Sequence, residues 1–170
     1  MAVLVRKLSK RRNADALRNS DNVDDLSADI VMQEFKTSKD TLSAWETAKD
    51  SIDLGVLAIA LSSEHFDTMD FILLDKECAE NTGLFVKPTK ADANPLAQAS
   101  EIHRDFYRLR LQDFRRLALV YKDAASDDAN VVRYTKTDLE RIIRDALRNG
   151  WVDSNKANDR MRKVIESLSG

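Results

Sequence analysis

Each of the two histidines in this chain sits among carboxylates, and acid–base or metal chemistry would be sought there first. His65 lies close to Glu64, Asp67 and Asp70, and His103 lies between Glu101 and Asp105. If the two groups met in space, a mixed carboxylate–imidazole site suited to manganese, iron or zinc would result. Spacing argues against it: on a helix Glu101 and Asp105 share a face, whereas His103 points elsewhere. Solvated acids beside a partly buried histidine are the plainer expectation, and the sequence calls for no metal and no cofactor.

A helical wheel over residues 102–123 gathers Phe106, Tyr107, Leu111, Phe114, Leu117, Ala118 and Tyr121 into a wide apolar arc. His103 and Arg110 fall near its centre, where a polar side chain must find partners because unpaired burial is costly. Two readings follow. In one, His103, Tyr107 and Arg110 build a small anionic-ligand or catalytic site; in the other, they form a buried polar network that pins helix to sheet.

Opposite the arc, Arg104, Arg108, Arg115 and Lys122 make a basic stripe. Arg141, Arg144 and Arg148 extend the basic character toward the C-terminus, and together these residues could track a phosphate backbone. Intervening acids such as Asp105, Asp138 and Asp145 dilute that field, and the pI near 5.8 is low for a nucleic-acid-binding domain. A third chemistry lies in the acids Asp21, Asp24, Asp25, Asp29 and Glu34, which would attract a basic protein partner and speed its association.

Other chemistries are excluded by residue counts. The four glycines are spread too widely for a Walker A loop, a dinucleotide-binding turn or a nucleophile elbow. Two histidines and one cysteine cannot make a Cys₄, Cys₂His₂ or His₃ zinc site. Cys78 has no disulfide partner within the chain, which fits a reducing compartment. The longest apolar run, 54–61, falls far short of the roughly 20 residues of a membrane span. Near the N-terminus the apolar stretch 2–5 precedes the basic residues, the reverse of a secretory signal. A cytoplasmic protein with no membrane contact is expected.

The elements that must position these residues are legible in part. Residues 3–5 suit a short edge strand. Residues 23–35 read as a helix with acids in its first turn. Residues 37–47 read as a turn feeding a strand. Residues 51–63 fit either a buried helix or a buried strand, and length with two alanines favours helix. The segment 69–74 is the best strand and 83–87 the second, with a polar connection at 75–82, Gly83 at a positive φ and Pro88 as a stop. Asn94 and Pro95 resemble a helix start, and residues 95–124 read as one long helix or two in succession. Thr137 with Glu140 fits a capping box, Gly150 fits the residue just past a helix end, and a last helix runs from about residue 154.

These elements imply a helix-rich α+β fold, a small sheet packed against helices with a C-terminal helical hairpin. The chain divides into a basic segment 1–20, an α+β core 21–125 and the hairpin 126–170, within a single domain. Charge follows a similar division. The first 12 residues hold five bases and no acid, residues 13–101 hold 18 acids and 7 bases, and residues 102–170 hold 15 bases and 11 acids. From sequence, the first functional expectation is a non-catalytic binding or inhibitory module docking a basic protein through its acids. The alternatives are nucleic-acid binding through the basic helices and a small enzyme or anionic-ligand binder using His103. Broad apolar helix faces would equally suit a homodimer.

Overall fold

A computed structural model describes residues 1–169. Six antiparallel strands form one sheet: β1 (Ala2–Lys7), β2 (Leu42–Ala48), β3 (Met69–Asp75), β4 (Val86–Pro88), β5 (His103–Phe106) and β6 (Val131–Tyr134), in the order β4-β5-β2-β1-β3-β6. Eight helices accompany it among the described residues: α1 (Arg11–Asn19), α2 (Ala28–Glu34), α3 (Asp53–Ser62), α4 (Lys76–Asn81), α5 (Ala99–Ile102), α6 (Leu111–Ser126), α7 (Lys136–Arg148) and α8 (Asp159–Leu168). The fold is α+β and helix-rich, with α7 and α8 as the C-terminal hairpin.

Strand periodicity explains why both faces of the sheet carry helices. Side chains alternate across a strand, so a strand that is apolar throughout must be buried on both sides. On β1, Val3 and Val5 enter one core and Leu4 the other; on β3, Phe71 and Leu73 oppose Ile72 and Leu74. One core lies under α1, α2, α4 and α6, centred on Leu4, Phe106, Leu117 and Tyr121. The second lies under α3, α7 and α8, with Val5, Trp45, Phe71, Leu61 and Ile143. Gly55 lets α3 approach closely: a Cβ there would stand 3.0 Å from Val5 Cγ2 and 3.2 Å from Thr47 Cγ2.

Several elements differ from the sequence expectation. Residues 3–5 belong not to an edge strand but to β1, which lies between β2 and β3. The first 20 residues therefore supply central structure, and β6 ties the C-terminal segment into the same sheet. The stretch read as a connection at 75–82 holds α4, whose start is capped by Asp75 Oδ1 accepting from the Cys78 N–H at 2.9 Å. Residues 51–63 form α3, the favoured alternative.

The largest correction concerns 95–124. Helical structure there is limited to the single turn α5 and to α6, and β5 stands between them, paired with both β2 and β4. Cross-strand pairing decides the conformation of His103–Phe106 against its local helical pattern. Arg108 then turns the chain out of the sheet at φ 58, and Asp113 Oδ2 accepts from the Arg110 N–H at 2.9 Å to start α6. The capping box of α7 also lies two residues earlier than expected, with Thr135 and Asp138 exchanging hydrogen bonds at 3.2 and 2.9 Å. Gly83 and Gly150 have positive φ as expected.

Candidate functional site

The end of the sheet built from β4, β5 and β2 presents three cross-strand rows on the face that also carries Trp45. Residues paired across antiparallel strands share a face, so register alone assembles these rows. In the first, Thr89 follows β4 beside His103 of β5 and Trp45 of β2. The second holds Lys87, Asp105 and Ser43. The third, just past the strands, holds Phe85 and Tyr107, joined by the Tyr107 N–H donating to the Phe85 carbonyl at 3.0 Å. Lys7 lies on the same face of β1, two residues beyond Val5.

The first row is enclosed and polar. Thr89 Oγ1 and His103 Nδ1 are 2.7 Å apart, and the imidazole packs on Trp45 with ring centroids 4.7 Å apart. His103 Nε2 stands 3.9 Å from Asp105 Oδ1, too far for a hydrogen bond. The second row is more open. Ser43 and Lys87 are exposed, and the Ser43 hydroxyl donates to Asp105 Oδ1 at 2.9 Å.

The third row is open and aromatic. Phe85 is 58% exposed, and its ring centroid is 5.7 Å from that of Tyr107. Lys87 Nζ sits 4.6 Å from the Tyr107 ring centroid and Arg108 Cζ 5.7 Å from it. Both cations are thus held by the π-system at the surface. Arg108 reaches this place only through its left-handed backbone conformation, which a non-glycine residue adopts at an energetic cost. Two contacts brace it: the Tyr107 bond to Phe85 and the Leu109 N–H donating to the Asp40 carbonyl at 3.1 Å.

Beneath this surface, on the opposite face of the sheet, lies a buried polar network. The Arg6 guanidinium donates to Tyr121 Oη at 2.5 Å, to the Glu34 carbonyl at 3.3 Å and to the Ser43 carbonyl. Glu34 is only 1% exposed, and its carboxylate accepts from Asn13 Nδ2 at 2.6 Å and from the Ser9 N–H at 3.0 Å. Burial pushes the Glu34 carboxyl above its ordinary value, and these hydrogen bonds with the Arg6 charge offset that only in part. Burial pushes the Tyr121 phenol up to about 12.

The structure redistributes the residues singled out from sequence. His103 and Tyr107 share a face of the β5 segment with Asp105 between them, but Arg110 lies beyond the turn at the start of α6. The expected trio on one helical face therefore does not form. The basic stripe is also dispersed. Arg104, on the other face of β5, donates to Glu46 at 2.5 Å. Arg115 pairs with Asp24 at 2.8 Å, and Lys122 donates to the carbonyls of Ser20 and Asp21. Arg141, Arg144 and Arg148 pair with Asp53, Glu140 and Asp145 at 3.8, 3.6 and 3.3 Å.

Among the acids, Asp21, Asp25 and Asp29 are exposed, Asp24 is engaged by Arg115, and Glu34 is interior and not on a docking surface. His65 lies 3.2 Å from Arg160, while Asp70 binds Arg133 and Arg11, so the two histidine groups do not combine. No cluster of three or more histidine, cysteine or acidic side chains able to hold a metal ion occurs among the described residues. No helix among them is long and apolar enough to cross a membrane. Phe85, Lys87, Thr89 and Ser43 were not anticipated as site residues. Their signal was alternation: in the expected strand 83–87, Phe85 and Lys87 must share a face.

No protein-family model, curated protein or solved structure matches this chain, so the reading of the site rests on its own geometry.

Proposed function

We propose that this protein binds single-stranded nucleic acid on the open sheet face of β4, β5 and β2. The supporting observation is the exposed Phe85 ring beside Tyr107, with Lys87 and Arg108 held over the Tyr107 ring. An unpaired base stacks on an exposed ring such as Phe85 while the backbone phosphates meet the cations gathered over Tyr107, and each stacked base contributes about 1–3 kcal/mol. A duplex offers no exposed base face, so the platform suits a single strand.

The edge of the sheet favours use of the face over addition of a partner strand. The outer strand β4 has only three residues, and its last, Pro88, lacks an N–H to donate. An extended peptide would find few ladder bonds there. The low overall pI does not oppose the reading, because the cations beside the rings are local ones, Lys87 and Arg108.

Fluorescence anisotropy with short labelled RNA and DNA strands at low salt tests the proposal. Binding that weakens with added salt is expected. Phe85→Ala should weaken it at least about 5-fold, the lower limit of one lost stack, with an unchanged thermal melt because the ring is exposed. Lys87→Ala should lower the salt slope by about 0.7, one single-strand phosphate contact. Absence of binding, or binding indifferent to both substitutions, would refute it.

A further inference from the structure

We infer that the face selects guanine at the position beside Asp105, an inference that rests on the single-strand reading above. The argument begins with Asp105. It lies in the middle row, flanked on β4 by Lys87 and on β2 by Ser43, and on its own strand it shares a face with Tyr107. Its side chain is 14% exposed. The hydroxyl of Ser43 donates to Oδ1 at 2.9 Å, while Oδ2 takes no hydrogen bond from the described residues.

An ionised carboxylate accepts hydrogen bonds and donates none, and its two oxygens offer about four lone-pair sites. With Oδ1 receiving one bond, the group retains acceptor capacity on both oxygens. A base stacked on the exposed Phe85 ring, beside Tyr107 and its two cations, turns an edge along the strand toward this carboxylate. Guanine presents two adjacent donors on its Watson–Crick edge, N1–H and the exocyclic N2–H₂, spaced to meet both carboxylate oxygens at once. Cytosine and adenine each present one amino donor there beside a ring acceptor, which the carboxylate repels. Uracil presents one N–H between two carbonyls. Single-strand readers discriminate in this way, with a stacked base read along its edge.

The surroundings hold the carboxylate for that purpose. Ser43 fixes Oδ1 from one side, and His103, braced by Thr89 and Trp45, stands behind it. The Ser43 backbone is in turn held from below by the Arg6 guanidinium. Lys87 and Arg108 then lie where the phosphate flanking the base would run.

The experiment compares short labelled oligouridines carrying one central guanosine, inosine, adenosine, cytidine or uridine, with the anisotropy assay at fixed salt. A bidentate base contact discriminates by about 1–3 kcal/mol, which is about 5- to 150-fold. Guanosine is expected to bind at least about 5-fold tighter than uridine, with inosine, which lacks the N2 amine, in between. Asp105→Asn replaces one acceptor by a donor and should bring the guanosine-to-uridine ratio below about 2. The inosine series tests the same contact without altering the protein, so a folding defect in the variant does not decide the matter. Equal affinity for all five strands would overturn the guanine inference while leaving the single-strand reading standing. Failure of every strand to bind would overturn both. Guanosine monophosphate binding as tightly as the strand would overturn a strand as the occupant.

Discussion

Truncating Glu34 should destabilise this protein far more than neutralising it, because its carboxylate works as an internal acceptor. In the folded chain the carboxylate accepts from the Asn13 amide at 2.6 Å and from the Ser9 N–H at 3.0 Å, at 1% exposure. Glu34→Ala strips both donors at once. The buried Asn13 donor left unsatisfied costs about 1–3 kcal/mol and the Ser9 N–H, on an exposed residue, adds less, so the substitution should cost about 3 kcal/mol. For a domain of this size that lowers Tm by about 6–12 °C. Glu34→Gln keeps the volume and one acceptor oxygen for Ser9. The Asn13 side chain can turn its carbonyl toward the new amide, and the burial of a charge is removed. Its net cost should stay within about 1 kcal/mol at neutral pH.

The two substitutions also differ in pH dependence. Burial holds the Glu34 carboxyl above its unfolded value, so protonation favours the folded state. The stability associated with this group is fully present below the unfolded carboxyl value, about pH 4.3, and is lost as pH rises through the folded one. Glutamine does not titrate. The stability of Glu34→Gln relative to wild type should therefore increase as pH rises across that range. Urea unfolding at a series of pH values measures both effects. Equal destabilisation by alanine and glutamine, with a difference from wild type that ignores pH, would refute the reasoning.

Two further outcomes are expected. Gly55→Ala gains about 1 kcal/mol of helix propensity but drives a methyl to 3.0 Å from Val5, an overpacking that costs about 1–3 kcal/mol, so a net loss in urea unfolding is expected and a gain would show that α3 can retreat. At Asp70 burial pulls the carboxyl up, but Arg133 at 2.8 Å and Arg11 at 3.4 Å outweigh it and hold the group below the usual range. Its stabilisation is present above about pH 4 and lost as pH falls through the folded value, so Asp70→Asn should flatten the acid side of the stability profile, and an unchanged acid limb would contradict the pairing.

What was legible in the sequence follows from how local each signal is. Strand β3 was visible because Phe71, Ile72, Leu73 and Leu74 form a short continuous apolar run, buried on both faces, and the α7–α8 hairpin because its apolar residues recur at helical spacing. The arc read over 102–123 does describe α6 from Leu117 to Tyr121, but it was carried back through β5, where His103–Phe106 owe their conformation to strands at residues 42–48 and 86–88. Pairing with residues some 60 positions away leaves little trace in a local window. The site was missed for the same reason. Its rows join Ser43, Lys87 and Asp105, which only the register brings together.

Charge shows the same separation between order along the chain and order in space. The acidic middle and the basic ends suggest opposed electrostatic surfaces, yet folding brings them against one another. Arg115 meets Asp24, Arg18 meets Asp128, Arg104 and Lys76 share Glu46, and Arg133 and Arg11 share Asp70. The exposed pairs among them, such as Arg115 with Asp24, contribute little to stability, but every pair removes charge from any long-range field. The cations best placed to meet a ligand are then those turned toward aromatic rings, Lys87 and Arg108. In the function proposed above, recognition depends on stacking, hydrogen bonding and these two local cations more than on net charge. It also depends on the interior, because Arg6 joins the Ser43 carbonyl beneath the platform to Tyr121 and to the Glu34 backbone. Loosening the Glu34 network should therefore disturb Ser43 and, through its hydroxyl, the carboxylate of Asp105.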